Sequence, residues 1–195
     1  MKRWIRAISG ALAVGVVLTL CGFGGRYAEL SENVVRLHIV ANSDSDADQE
    51  LKLAVRDAVQ RAGAGLLDGA ATREEAERRL RTQLPYVESV AAACVAERGY
   101  AYPVRAELTE MMFDTRVYDG GTFPAGRYHT VRVTIGEGKG RNWWCVMYPP
   151  LCVSAALDKS TLQEAVSNGT YQMVDEAPRF AIRFKVWEWL CRLWE

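Results

Sequence analysis

A histidine, two serines and three carboxylates lie within eleven residues. The stretch "HIVANSDSDAD" holds His38, Asn42, Ser43, Asp44, Ser45, Asp46 and Asp48. These are the side chains of a hydrolase, in which a serine attacks, a histidine takes its proton and a carboxylate orients the imidazole. That chemistry requires all three within hydrogen-bond reach. A second candidate pairs His129 with Cys145 as base and thiol nucleophile. A third is "GEGKG" at Gly136–Gly140, a type of loop that cradles phosphate when it opens a helix.

Each candidate also has a structural reading, and the residue patterns favour it. Strand alternation before the serines and a helical turn after them aim His38, Ser43 and Asp46 in different directions, and the sequence has no G-x-S-x-G elbow. Asn, Ser and Asp are what a strand-to-helix corner uses for turns and caps. "GEGKG" runs into "RNWWCVMY", which is strand-like, so the glycines predict a hairpin with positive φ rather than a phosphate loop. Two distant histidines and scattered cysteines match no zinc spacing, so neither a metal nor another cofactor is expected. Trp143 and Trp144 are adjacent, so on a strand one enters the core and the other faces outward as a contact anchor.

The elements that must position these groups are legible in outline. "NVVRLHIVAN" reads as a strand. A helix follows, started by Ser45 with Asp48 or by Asp46 with Gln49, with Ala47, Leu51, Ala54, Val55, Ala58 and Ala62 on one face. Gly63, Gly65 and Gly69 end it. Thr72 with Glu75 caps a second helix that buries Ala76, Leu80, Leu84, Val87, Ala91 and Cys94 and kinks or restarts at Pro85. Strands follow at "YPVRAEL", "RYHTVRVTI" and "WWCVMY". The order β-α-α-β-β-β predicts an α+β fold, a small mixed or antiparallel sheet with helices on one face. Residues 32–155 form this domain. Residues 156–195 add a loop region and a C-terminal amphipathic helix, whose apolar arc includes Trp187, Trp189 and Trp194.

At the N-terminus, Lys2, Arg3 and Arg6 precede an uncharged stretch from Ala7 to Gly25. This is the pattern of a signal peptide or membrane anchor over 1–25, with everything after Arg26 sent across the membrane. An uncleaved anchor is favoured, since no A-x-A site precedes Arg26. "LTLC" at Cys21 has Leu20 where a lipidation site needs a small residue. The chain holds 24 basic and 24 acidic residues, and 21 against 24 without the first 25. That balance builds no basic field and sets nucleic-acid binding aside. In an oxidising compartment Cys145 and Cys152, which flank "VMYPPL", are the favoured disulfide.

Three stretches together resemble one family: "VVRLHIVANSDSDADQELKLAVRDAV", "FPAGRYHTVRVTIGEGKGRNWWCVMYPPLC" and the ending "RFKVWEWL". They resemble the stage II sporulation protein R family. The resemblance implies a protein of endospore-forming bacteria, made in the forespore and exported into the space between forespore and mother-cell membranes. There it would trigger a membrane-bound aspartic protease of the mother cell, which processes a sigma-factor precursor. It implies a signal and not an enzyme, with no catalytic residues to carry over. The surplus of polar groups at the corner then reads as a contact surface, with His38, Asn42, Ser43, Asp44, Asp46, Trp143 and Trp144 as partner-binding candidates. The competing expectation is an exported hydrolase using His38 and the Ser/Asp corner at 43–46.

Overall fold

The computed structural model describes residues 2–118, 121–149, 152–153, 156–157, 159–175 and 177–193. In chain order these form α1 (Lys2–Asn33), β1 (Val35–Val40), α2 (Asp46–Leu67), α3 (Arg73–Glu97), β2 (Val104–Phe113), β3 (Arg116–Tyr118) and β4 (Gly121–Phe123). Then come β5 (Gly126–Ile135), β6 (Asn142–Tyr148), β7 (Cys152–Val153), β8 (Ala156–Leu157), α4 (Lys159–Ala165), α5 (Asn168–Asp175) and α6 (Ala177–Leu193). The fold is mixed α+β. Its main sheet has the order β2-β5-β1-β6, while β3–β4 and β7–β8 are separate two-stranded pairs.

β1 is central and wholly buried. It runs parallel to β5 and antiparallel to β6, and β2 closes the far edge antiparallel to β5. Alternation then assigns each side chain a face. Val35, Leu37 and Ile39 join Val131, Val133, Ile135, Cys145 and Met147 on the face covered by α2 and α3. Leu51, Val55 and Val59 of α2, with Ala76, Leu80, Val87 and Ala91 of α3, complete that core. Each fully buried aliphatic side chain of this kind contributes roughly 1.5–3 kcal/mol.

The expectation of helices on one face is corrected. The opposite face is covered at one end by a second apolar cluster, in which Phe113, Tyr128 and Val146 meet Phe23 and Leu30 of α1, Phe123 of β4, Met173 and Val174 of α5, and Phe184 of α6. Distant contacts hold this second layer. Glu29 accepts hydrogen bonds from Ser167 N and Oγ and from Thr170 Oγ1, and Tyr27 donates to Arg127 O. The same contacts accompany residues 26–32, which stay helical beyond the uncharged stretch. Residues 2–25 are the start of this long helix, and Trp4, Ile8, Val14, Val17 and Leu18 are exposed along it. Among the described residues, no helix is long and apolar enough to cross a membrane.

Both expected caps form. Ser45 Oγ accepts from Asp48 N, and Thr72 Oγ1 accepts from Glu75 N. α2 nevertheless continues to Leu67, through Gly63 and Gly65. A Cβ at Gly63 would lie 2.5 Å from Met147 Cε, so this glycine marks close helix–sheet packing instead of a helix end. α3 likewise runs through Pro85 without restarting. Pro85 lies on the exposed side of the helix, where a carbonyl that loses its donor can bond to water. Where a loop region was expected, the chain forms α4 and α5 before the C-terminal helix. α6 packs on the domain through Phe184 and Trp187, whose Nε1 donates to Ala125 O, and leaves Trp189 61% exposed.

Candidate functional site

β1 ends at Val40, and the chain turns over residues 41–45 into α2. The sheet order explains why this corner is so polar. The segment from Gly136 to Arg141 is not a hairpin, because β1 lies between β5 and β6 and the loop must cross its end. The corner grips that crossing. Asn42 Oδ1 accepts from Glu137 N at 3.0 Å, Asn42 O from Lys139 N, Ala41 O from Gly140 N, and Asp44 Oδ1 from Arg141 N at 2.6 Å. A Cβ at Gly140 would lie 2.1 Å from Ser43 O, so only glycine allows this approach. Gly136 and Gly138 supply the expected positive φ, at 59° and 62°. The amides that a phosphate would need are therefore already bonded within the protein.

Asp48 is the hub beneath the corner. Its Oδ2 accepts from Ser43 Oγ at 2.5 Å and from Asn42 Nδ2 at 2.9 Å. Those two bonds, Ser43 first, hold its carboxyl below the usual range despite burial, and Tyr102 adds a third. Lys52, nearly buried, donates to Gln49 Oε1 and to Arg141 O, tying α2 to the same loop. Asp46 is exposed.

His38 does not meet the serines. It lies on the face of β1 away from α2 and α3, 3% exposed, with its ring stacked on Trp144 at 3.9 Å between centroids and 3° between planes. Its Nε2 bonds Asn142 Oδ1 at 2.8 Å, which places the ring proton on Nε2, while Nδ1 has no partner. Burial, above all, pushes its pKa down to about 4, with the charges of Arg132 and Arg116 acting the same way against the Asn142 bond. A neutral imidazole bonded to an amide, and serines bonded to Asp48, do not form a nucleophile and base.

His129 lies on the other face, with Nδ1 3.4 Å from Glu77 and Nε2 3.4 Å from Glu110. Cys145 is disulfide-bonded, which removes it as a nucleophile, while Cys21, Cys94 and Cys191 form no disulfide. The side chain of Cys152, its expected partner, lies outside the described residues. The tryptophans diverge as strand geometry requires. Trp143 packs toward α2 with the Arg56 guanidinium 4.4 Å from its ring, and Trp144 lies on the His38 side with Arg116 at 4.9 Å. Among the described residues, no group of three or more His, Cys, Asp or Glu side chains is placed to hold a metal.

Sequence reasoning missed the most unusual side chain in the molecule. Arg36 is 0% exposed, and its guanidinium lies 4.4 Å from the Phe113 ring centroid, 5.0 Å from Phe123, 5.1 Å from Tyr128 and 5.6 Å from Tyr118. Nε donates to Cys145 O and Nη2 to Tyr118 Oη, while Nη1 has no partner. No carboxylate among the described residues pairs with it. Its signal was an arginine at an inward position of an apolar strand. The rest of the cage comes from residues 113–128, far along the chain.

A family model described as stage II sporulation protein R matches residues 31–158, from the end of α1 through β8. A curated relative, the stage II sporulation protein R of Bacillus subtilis (strain 168), is 37% identical over 123 residues. That alignment covers 63% of this chain and 55% of the relative, so the match spans about half the relative's length. No solved structure matches the chain. The matched region contains the whole four-stranded sheet, the corner and the Arg36–His38 face, and the chain belongs to the stage II sporulation protein R family.

Proposed function

We propose that the protein is a sporulation signal, exported from the forespore, that acts on a membrane-bound aspartic protease of the mother cell and so triggers processing of a sigma-factor precursor. Family membership carries this reading. Two features support the exported setting: the basic, then uncharged, N-terminal sequence, and the disulfide at Cys145, which suits an oxidising compartment. The exported-hydrolase alternative draws no support from a geometry in which His38 bonds Asn142 and the corner serines bond Asp48. The protein then works by binding, and its residues act through the surface they present.

The test is co-production of the full chain, the protease and the sigma-factor precursor in a host that does not sporulate. Processing should appear only when all three are present. Intact precursor with all three proteins stably made would overturn the reading. Export is checked separately by fusing a reporter active only in the cytoplasm after Glu195; it should be silent, and full reporter activity would refute export.

A further inference from the structure

The face of the sheet that carries His38 holds more positive charge than it neutralises. One row crosses all four strands as Glu107, Arg132, His38 and Trp144, set side by side by the register. Arg36 lies one step along β1 on the same side, and Arg116 reaches in from β3 over the Trp144 ring. Arg116 thus lies over Trp144, and Arg132 lies beside the imidazole stacked on it. Their carboxylate neighbours sit beyond hydrogen-bond distance: Arg132 Nη1 is 3.7 Å from Glu107, and Arg116 Nη2 is 3.9 Å from Asp114. Arg36 has none. Nε of Arg116, Nε of Arg132 and Nη1 of Arg36 are buried without a partner. Buried donors are nearly always satisfied, and the two orphans on the accessible arginines, Arg116 and Arg132, call for an acceptor there.

The patch is also reachable. The Arg116 and Arg132 side chains are 35% and 40% exposed, and beside Arg132 a shallow cavity of about 340 Å³ is lined by Pro103, Val104, Arg105, Glu107, Arg132 and Thr134. That volume takes one or two side chains and not a helix.

We propose that this patch receives a carboxylate side chain from an extended acidic segment of the partner protein, with Arg132, beside the stacked His38–Trp144 pair, and Arg116, over it, as the contacting groups. A planar carboxylate matches a guanidinium fork and would supply acceptors to both arginines. Arg36, sealed in its cage, contacts nothing outside and acts as a fixed positive charge beneath the site. The proposal rests on the signalling reading for the identity of the partner, but the chemistry of the site is tested without it.

The probe is N-acetylglutamate, titrated into the purified full chain while the arginine Nε–H signals are followed by NMR. The Arg116 and Arg132 signals should shift saturably. Arg56, held over Trp143 on the opposite face, should stay still, and N-acetylglutamine should move none of them. Arg132→Gln should weaken binding at least ten-fold while the far-ultraviolet circular dichroism stays that of the wild type, and Arg116→Gln should weaken it less. Equal shifts with N-acetylglutamine, or none with either compound, would overturn the site. Shifts with inorganic phosphate alone would overturn a carboxylate ligand. In the three-protein co-production, Arg116→Gln with Arg132→Gln should cut processing several-fold, and unchanged processing would overturn the assignment to the partner. If the wild type itself triggers no processing, the signalling reading fails while the titration still decides the site.

Discussion

The two faces of the central sheet are built from alternate residues of the same strands, yet they are finished in different chemistry. Toward α2 and α3, β1 presents Val35, Leu37 and Ile39 to a closed apolar layer. Toward the other side it presents Arg36 and His38 to rings, with unpartnered nitrogens on both. The first face is complete in itself, and its stability follows volume and area. The second keeps a cation in the interior, an arrangement that costs several kcal/mol in desolvation and is offset by four aromatic faces at about 0.5–2 kcal/mol each. A fold that needed only stability would finish both faces like the first. The contrast separates the face closed by apolar packing from the face on which the contact site is proposed.

The comparison can be broken in graded ways. Leu37→Ala opens a cavity in the closed face and should cost about 3 kcal/mol in chemical denaturation. A loss under about 1 kcal/mol would mean that this layer is loosely packed. Acid should act through the other face. His38 has a folded pKa of about 4 against an ordinary 6.5. The unfolded chain therefore binds a proton that the folded one refuses, and stability present above pH 6.5 is lost as pH falls toward 4. The loss is on the order of 2–3 kcal/mol, and His38→Gln should remove this part of the pH dependence. Identical pH profiles for the two proteins would sink the assignment.

Smaller effects sharpen the contrast. Ser45→Ala removes the cap of α2 and should cost about 1 kcal/mol. Arg36→Met keeps much of the volume and removes an unpaired buried charge, so it should change stability by less than about 1 kcal/mol in either direction. A cost like that of Leu37→Ala would show the aromatic cage to be structural. Asp46→Ala should be neutral within about 0.5 kcal/mol. Asn42→Ala and Asp44→Ala, measured beside it for stability and precursor processing, decide whether the corner meets the partner. If processing falls only where stability falls, the corner is scaffold.

What was legible in the sequence was local. The caps at Ser45 and Thr72, the alternation of Val131, Val133 and Ile135, and the divergence of Trp143 from Trp144 each depend on a few neighbouring residues. The mixed α+β character followed from them. What could not be read depends on strand order. The crossing loop at 136–141 looks like any hairpin until β1 is known to lie between β5 and β6, and only then do Asn42 and Asp44 acquire their work. Helix α1 outlasts its apolar segment because Ser167 and Thr170, more than a hundred residues later, bond Glu29. The cage around Arg36 is assembled from four rings spread over Phe113 to Tyr128. No local pattern announces such a site.

The central position of β1 has a further consequence for how the chain is made. Of the four strands of this sheet it is synthesised first, yet its neighbours come last: Arg36 pairs with Thr130 on one side and Val146 on the other. Until those residues emerge, a short segment of high strand propensity waits with both edges unpaired, the kind of segment that self-associates. Arg36 and His38 interrupt it. In the nascent chain both are hydrated and one is fully charged, so the same residues that burden the finished interior act as gatekeepers against premature pairing while the chain is incomplete.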